Sequence, residues 1–247
     1  MQSRLDVYLA ENNIVRSRSL AATLIKQGSI SVNGKICVKP SFLVGSSDTI
    51  SVVGEMPKYV GRGGLKLEKA LSFYKLHLDG CVCLDIGAST GGFTDCMLQN
   101  GAEKVYSVDV GTNQLDEKLR NDSRVISMEQ TDIRNCVGII PAVDFISIDV
   151  SFISLKLILP TAYSLLKDGG ECVALIKPQF EAGKAYLSKN GIVRDTKIHK
   201  KVCDDISAFA ASIGFSVYET IPSPITGGDG NTEYLILLRR TKAGELF

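Results

Sequence analysis

From residue 65 onward, short apolar runs alternate with stretches of helical spacing, and this pattern restricts the fold more than any other feature of the chain. Runs at 81–86, 105–108, 125–128, 143–148 and 172–176 have strand length. Between them, 65–74, 93–98, 115–119, 160–166 and 198–213 read as helices. Pro160 fits the first turn of its helix, where no amide partner is needed. Two more runs, 215–218 and 234–238, bring the strands to seven. Strand–helix alternation of this kind builds a mostly parallel, doubly wound α/β sheet with helices on both faces.

In open sheets of this class, ligands bind beyond the carboxyl ends of the strands. Four polar residues stand beside apolar runs, at strand ends or a helix start: Lys66, Asp149, Lys177 and Glu233. Singly, each reads as well as a solvated charge or an ion pair. Together they line the expected ligand face. Asp85-Ile86-Gly87-Ala88-Ser89-Thr90-Gly91-Gly92-Phe93 is a glycine-rich turn between the first strand and its helix. Asp109, followed by Val110, ends the next strand where an acid can grip ribose hydroxyls. Asp132, followed by Ile133, comes after the third strand and is placed to receive an adenine amino group. A nicotinamide dinucleotide would ask for G-x-G-x-x-G, but Ser89 stands at the second glycine. Asp85 near the turn suits a cationic, amino-bearing nucleoside, which favours S-adenosylmethionine.

Such a pocket can transfer a methyl group to an alcohol if a base removes the hydroxyl proton. A lysine accepts that proton only when burial or a neighbouring cation lowers its proton affinity. Lys177, between the buried run 172–176 and Pro178, is the candidate base. Lys66 would be the neighbouring cation, and Asp149 and Glu233 would orient the pair.

The first 55 residues have a different pattern. Two helices are expected, the second capped by Ser17 or Ser19 and ended by Gln27-Gly28. Asn33-Gly34 then marks a hairpin. Residues 56–62 read as a linker and 63–247 as the large domain. The chain's net charge of +1 hides an asymmetry: residues 1–60 hold seven basic and four acidic residues, a net +3 against −2 for the rest. A basic small module points to a polyanionic partner. Arg4, Arg16, Arg18, Lys26, Lys35, Lys39 and, beyond the module, Arg62 are its candidate phosphate contacts. The seven cysteines include no C-x-x-C pair, so reduced thiols are expected, with no zinc or other metal site. No apolar run approaches bilayer length and no targeting segment is evident, so a cytoplasmic protein is expected.

Two resemblances gather these observations. Arg4-Leu5-Asp6, Ser17-Arg18-Ser19, Lys26-Gln27-Gly28 and Val32-Asn33-Gly34 resemble an S4 RNA-binding domain. The large part resembles an FtsJ-type 2′-O-ribose methyltransferase, with a Rossmann-like sheet and a Lys-Asp-Lys-Glu tetrad. With 59–66, 85–94, 149–155 and 176–181, the whole chain resembles the TlyA family. That resemblance implies S-adenosylmethionine as cofactor and ribosomal RNA as substrate, within ribosomal subunits. It implies cytidine 2′-hydroxyls as targets and Lys177 as base, tuned by Lys66, Asp149 and Glu233. Family members have also been called hemolysins, but no segment here supports pore formation. The rival reading is a non-catalytic RNA-binding module for ribosome assembly.

Overall fold

The computed structural model describes residues 2–15, 17–54 and 56–241. They fall into two units, Met1–Pro57 and Lys58–Phe247. In the smaller, β1 (Ser3–Arg4), α1 (Leu5–Glu11) and α2 (Arg18–Lys26) precede β2 (Ile30–Val32), β3 (Lys35–Ile36), β4 (Leu43–Val44) and β5 (Ile50–Val52). Ser17 sets the start of α2: its Oγ accepts from the Leu20 amide at 3.2 Å, satisfying one of the donors a helix start leaves free. Asn33 (φ 51°) and Gly34 (φ 77°) turn β2 into β3, the pair of positive φ values that a two-residue hairpin requires. Leu5, Leu9, Leu24, Ile25, Ile30 and Val44 are buried together as this unit's core.

The larger unit begins with α3 (Gly63–Tyr74) and continues through β6 (Val82–Ile86), α4 (Gly92–Gln99), β7 (Lys104–Val108), α5 (Glu117–Arg120), β8 (Val125–Met128) and β9 (Val143–Ile148). Then come α6 (Leu159–Leu165), β10 (Leu166–Ile176), α7 (Pro178–Glu181), α8 (Thr196–Ser212), β11 (Phe215–Pro222) and β12 (Tyr234–Arg240). Seven strands form one sheet in the order β11-β12-β10-β9-β6-β7-β8. β12 runs antiparallel to both its neighbours, and the other pairs are parallel. The chain builds outward from β6 through β7 to β8, then returns to the other side of β6 with β9. A crevice opens where this order reverses, beyond the ends of β6 and β9.

Side chains on the central strands alternate between two cores, as a period of two demands. Leu84, Ile86, Ile146 and Ile148 pack under α6 and α8. Cys83, Phe145, Val173 and Leu175 pack under α3 and α4. Each such aliphatic or aromatic side chain stabilises the fold by roughly 1.5–3 kcal/mol. The expected linker residues 58–62 belong to this unit. Tyr59 is buried over Gly64, and the Val60 amide donates to Asp95 Oδ2 at 2.8 Å. β10 begins six residues before the expected 172, crossing an irregularity between Leu166 and Glu171. All seven cysteines are free thiols. No helix among the described residues is long and apolar enough to cross a membrane.

Candidate active site

β9 ends at Ile148 and delivers Asp149; β10 ends at Ile176 and delivers Lys177; β12 starts just after Glu233; α3 carries Lys66 in its first turn. These four side chains meet in a line of alternating charge. Lys66 Nζ lies 2.6 Å from Glu233 Oε2 and 3.8 Å from Asp149 Oδ2. Asp149 Oδ1 lies 2.6 Å from Lys177 Nζ. Asp149 therefore stands between the two lysines, with one oxygen toward each. Lys66 and Lys177 are both 8% exposed and Glu233 is 2% exposed. Burial at this level requires such pairing, because an unpaired ion out of water costs several kcal/mol.

Two cavities of about 340 and 410 Å³ adjoin this line and share Gly87, Ser89, Asp149 and Ser151. Lys66, Lys177, Ala88, Thr90, Gly92 and Phe93 face the first. Arg62 also faces it, donating to the Thr226 carbonyl at 3.1 Å. Asp109, Val110, Asp132 and Ile133 face the second. Gly87 is irreplaceable on space: at φ 84°, a Cβ there would lie 2.6 Å from the Asp149 carbonyl oxygen. The strand tips of β6 and β9 can approach so closely only over a residue without a side chain.

The acids at the turn have different duties. Asp109 Oδ2 accepts from the Ser89 amide at 2.8 Å and Oδ1 from Gly111 at 2.7 Å, so it holds the glycine turn while facing the second cavity. Asp132 carries Arg134 on both oxygens, and that guanidinium holds its carboxyl below the usual range. Asp85 corrects the sequence reading. It is fully buried, accepting from Thr94 Oγ1 at 2.7 Å and Ser147 Oγ at 2.9 Å, and faces neither cavity. Strand parity explains this: Asp85 shares a face with Cys83, toward α4. Desolvation pushes its carboxyl up to about 6. Gly91 also faces neither cavity; its α-carbon packs against Leu115 and Leu119.

Two residues that the search for charged strand ends passed over stand at the site. Ser151 Oγ lies 2.9 Å from Lys177 Nζ, and Ser151 faces both cavities. Phe152 is 91% exposed on the rim of the second, at φ 64°, with its ring 5.0 Å from that of Phe180. A bulky residue in this left-handed region is strained and marks a position held for a purpose. Neither feature is visible in a pattern of charges and apolar runs.

In the smaller unit, Arg4 and Arg18 both reach Asp6. Arg4 Nη2 lies 2.9 Å and Arg18 Nε 3.2 Å from its Oδ2. The Arg4 hydrogen bond, more than any other influence, lowers the Asp6 carboxyl to about 2. Both arginines thus brace the start of α1 while remaining exposed. Lys26, Lys35 and Lys39 are exposed. Arg16 lies outside the described residues.

An FtsJ-like methyltransferase family model matches residues 59–240, and an S4 domain model matches 3–50. YqxC of Bacillus subtilis is 46% identical over 99% of this chain and 88% of that protein. The 16S/23S rRNA (cytidine-2′-O)-methyltransferase TlyA of Mycobacterium tuberculosis is 37% identical over 96% of this chain and 90% of that one. A solved chain from Streptococcus thermophilus that carries a hemolysin name is 48% identical, with a TM-score of 0.77 over 98% of this chain and 90% of that one. S-adenosylmethionine is the cofactor. The second cavity fits its nucleoside: Asp109 faces it for ribose hydroxyls, and Val110, Ile133 and Phe152 offer apolar walls for a base. The protein is a member of the TlyA family, an S4 domain followed by an FtsJ-like methyltransferase domain.

Proposed function

We propose that this chain methylates the 2′-hydroxyl of cytidine ribose in ribosomal RNA, presented within ribosomal subunits, with Lys177 as general base. The observation that carries this reading is the buried line Glu233–Lys66–Asp149–Lys177 opening onto a cavity at the switch in strand order. Bound S-adenosylmethionine supplies an electrophilic methyl group. Lys177 takes the hydroxyl proton at Nζ. Ser151 Oγ accepts a hydrogen bond from that nitrogen and Asp149 lies beside it as its ion-pair partner, which leaves a direction for the sugar hydroxyl. Asp149 stabilises the ammonium that forms. Lys66, anchored on Glu233, keeps Asp149 from shifting and balances its charge. Phe152 offers a ring on which a base can stack.

The smaller unit serves as the RNA-binding domain and the larger, which begins at Lys58, as the catalytic one. The cations Lys26, Lys35 and Lys39 meet phosphates, joined by whatever face Arg4 and Arg18 leave beyond Asp6. Free thiols and a ribosomal substrate both suit a reducing cytoplasm. The test is Lys177→Ala, with tritiated methyl transfer to ribosomal subunits and titration of S-adenosylmethionine. Transfer is expected to fall by ~10²–10⁴-fold, the range that loss of a general base costs, with cofactor affinity nearly intact. Normal turnover would remove Lys177 from the mechanism.

A further inference from the structure

Residues 184–197, which run from beyond α7 into the first turn of α8, contain Lys184, Lys189, Arg194 and Lys197 against a single acid, Asp195. The larger unit taken from residue 61 is net negative, so this is a local reversal of sign. All four cations are exposed, and none forms an ion pair among the described residues. Asp195 spends its carboxylate on the start of α8, accepting from the Lys197 amide at 2.8 Å. Tyr186 lies among the four, 52% exposed.

Their placement follows from topology. β10 ends at the crevice, where it delivers Lys177, and α8 begins its return from that same end. The connection therefore lies at the crevice end of the sheet, outside the linings of the two cavities. It is also fixed in place. Asn231, 1% exposed, accepts from the Val193 amide at 3.1 Å and donates to the Gly191 carbonyl at 3.2 Å. His199 holds the Val193 carbonyl through Nε2 at 2.8 Å. Cations without an ion-pair partner among the described residues, beside an exposed aromatic ring and anchored through Gly191 and Val193, are what a phosphate backbone with an accessible base requires.

We propose that Lys184, Lys189, Arg194 and Lys197, with Tyr186 between them, form a second RNA-backbone contact on the methyltransferase unit. It rests on the RNA-methylation reading and adds to the surface already assigned to the smaller unit. The contact holds the strand flanking the target nucleotide at the crevice.

The experiment uses the full chain and purified ribosomal subunits, with binding measured against salt concentration and methyl transfer measured separately. Replacing all four cations with Ala should flatten the log–log salt slope by roughly 2–4, at 0.7–0.9 per phosphate contact. KM for the subunits should rise about tenfold or more. Turnover at saturating subunits and S-adenosylmethionine affinity should stay within about twofold, because neither involves phosphate contacts. A variant with Lys184→Arg, Lys189→Arg and Lys197→Arg, which keeps the charge, should retain the wild-type slope. An unchanged slope in the Ala variant, or a loss equally present in the Arg variant, overturns the proposal. If the slope flattens but the wild-type chain transfers no methyl group, the surface stands and the assigned reaction falls.

Discussion

Two groups of lysines on the larger unit obey opposite rules. Lys66 and Lys177 are withdrawn from water, and each is held by a carboxylate within 2.6 Å. Lys184, Lys189 and Lys197 are exposed and form no ion pair among the described residues. The first arrangement suits chemistry on one atom, because the positions of the charges are fixed before substrate arrives. The second suits recognition of a polyanion, because the counterions it carries are exchanged on binding. Lysine is the same residue in both; desolvation and partner supply decide which task it performs.

The sharpest way to break this contrast is to remove the acid shared by the buried pair. Among the described residues, Asp149→Ala leaves Lys177 without a carboxylate partner and Lys66 with Glu233 alone. Methyl transfer should fall by at least ~10³-fold and stability by on the order of 3 kcal/mol, the cost of orphaning a buried ion. Denaturant titration and single-turnover transfer check both; a variant of wild-type stability would mean that the line of charges is dispensable to the fold.

Asp85 tests the middle case, a buried charge with hydroxyl partners and no cation. Its folded-state value is raised from 3.8 to about 6 by desolvation. Below 3.8, folded and unfolded chains both hold the proton, and the group adds no pH dependence. Between those values the unfolded chain ionises first, so stability falls as pH rises, and above about 6 the loss is complete. Asp85→Asn removes this dependence. The stability difference should move in favour of the variant by on the order of 3 kcal/mol from pH 4 to pH 7. Parallel unfolding curves for the two proteins would contradict the assigned burial cost.

The smallest effect should come from Lys200→Ala with Lys201→Ala. These residues neighbour the basic connection, but each pairs with an acid one turn along α8, Asp204 and Asp205. Their loss should change neither melting temperature nor the salt slope of RNA binding. A slope that flattened as much as for the four-cation variant would show that pairing is not what separates the two groups.

Much of this was legible in the order of residues. Asp149 and Lys177 could be found because each follows an apolar run that ends at the ligand face of a parallel sheet, whereas Glu233, just before β12, reaches that face because β12 runs antiparallel. The mostly parallel sheet followed from strand–helix alternation. Asp85 was misassigned because proximity to the glycine turn says nothing about which face of β6 a side chain takes. Arg18 read as a free phosphate contact because it meets Asp6 only once α1 and α2 have packed, whereas Arg4 pairs with the same acid two residues along the chain. The early start of β10 was hidden by Lys167-Asp168-Gly169-Gly170, which has the composition of a turn yet runs on into the strand. The basic connection escaped notice because charge averaged over 61–247 comes out negative. Ser151 and Phe152 depend on backbone torsion and on neighbours far away in the chain.

Asn231 and Glu233 lie two residues apart, one gripping the basic connection and the other gripping Lys66. Gly227 is pressed against Glu233, where a Cβ would sit 2.6 Å from Oε1. Gly228 and Gly230 have open space around them. Among descendants of such a chain, insertions should therefore accumulate at 228–230, while the stretch from 231 to 233 keeps its length.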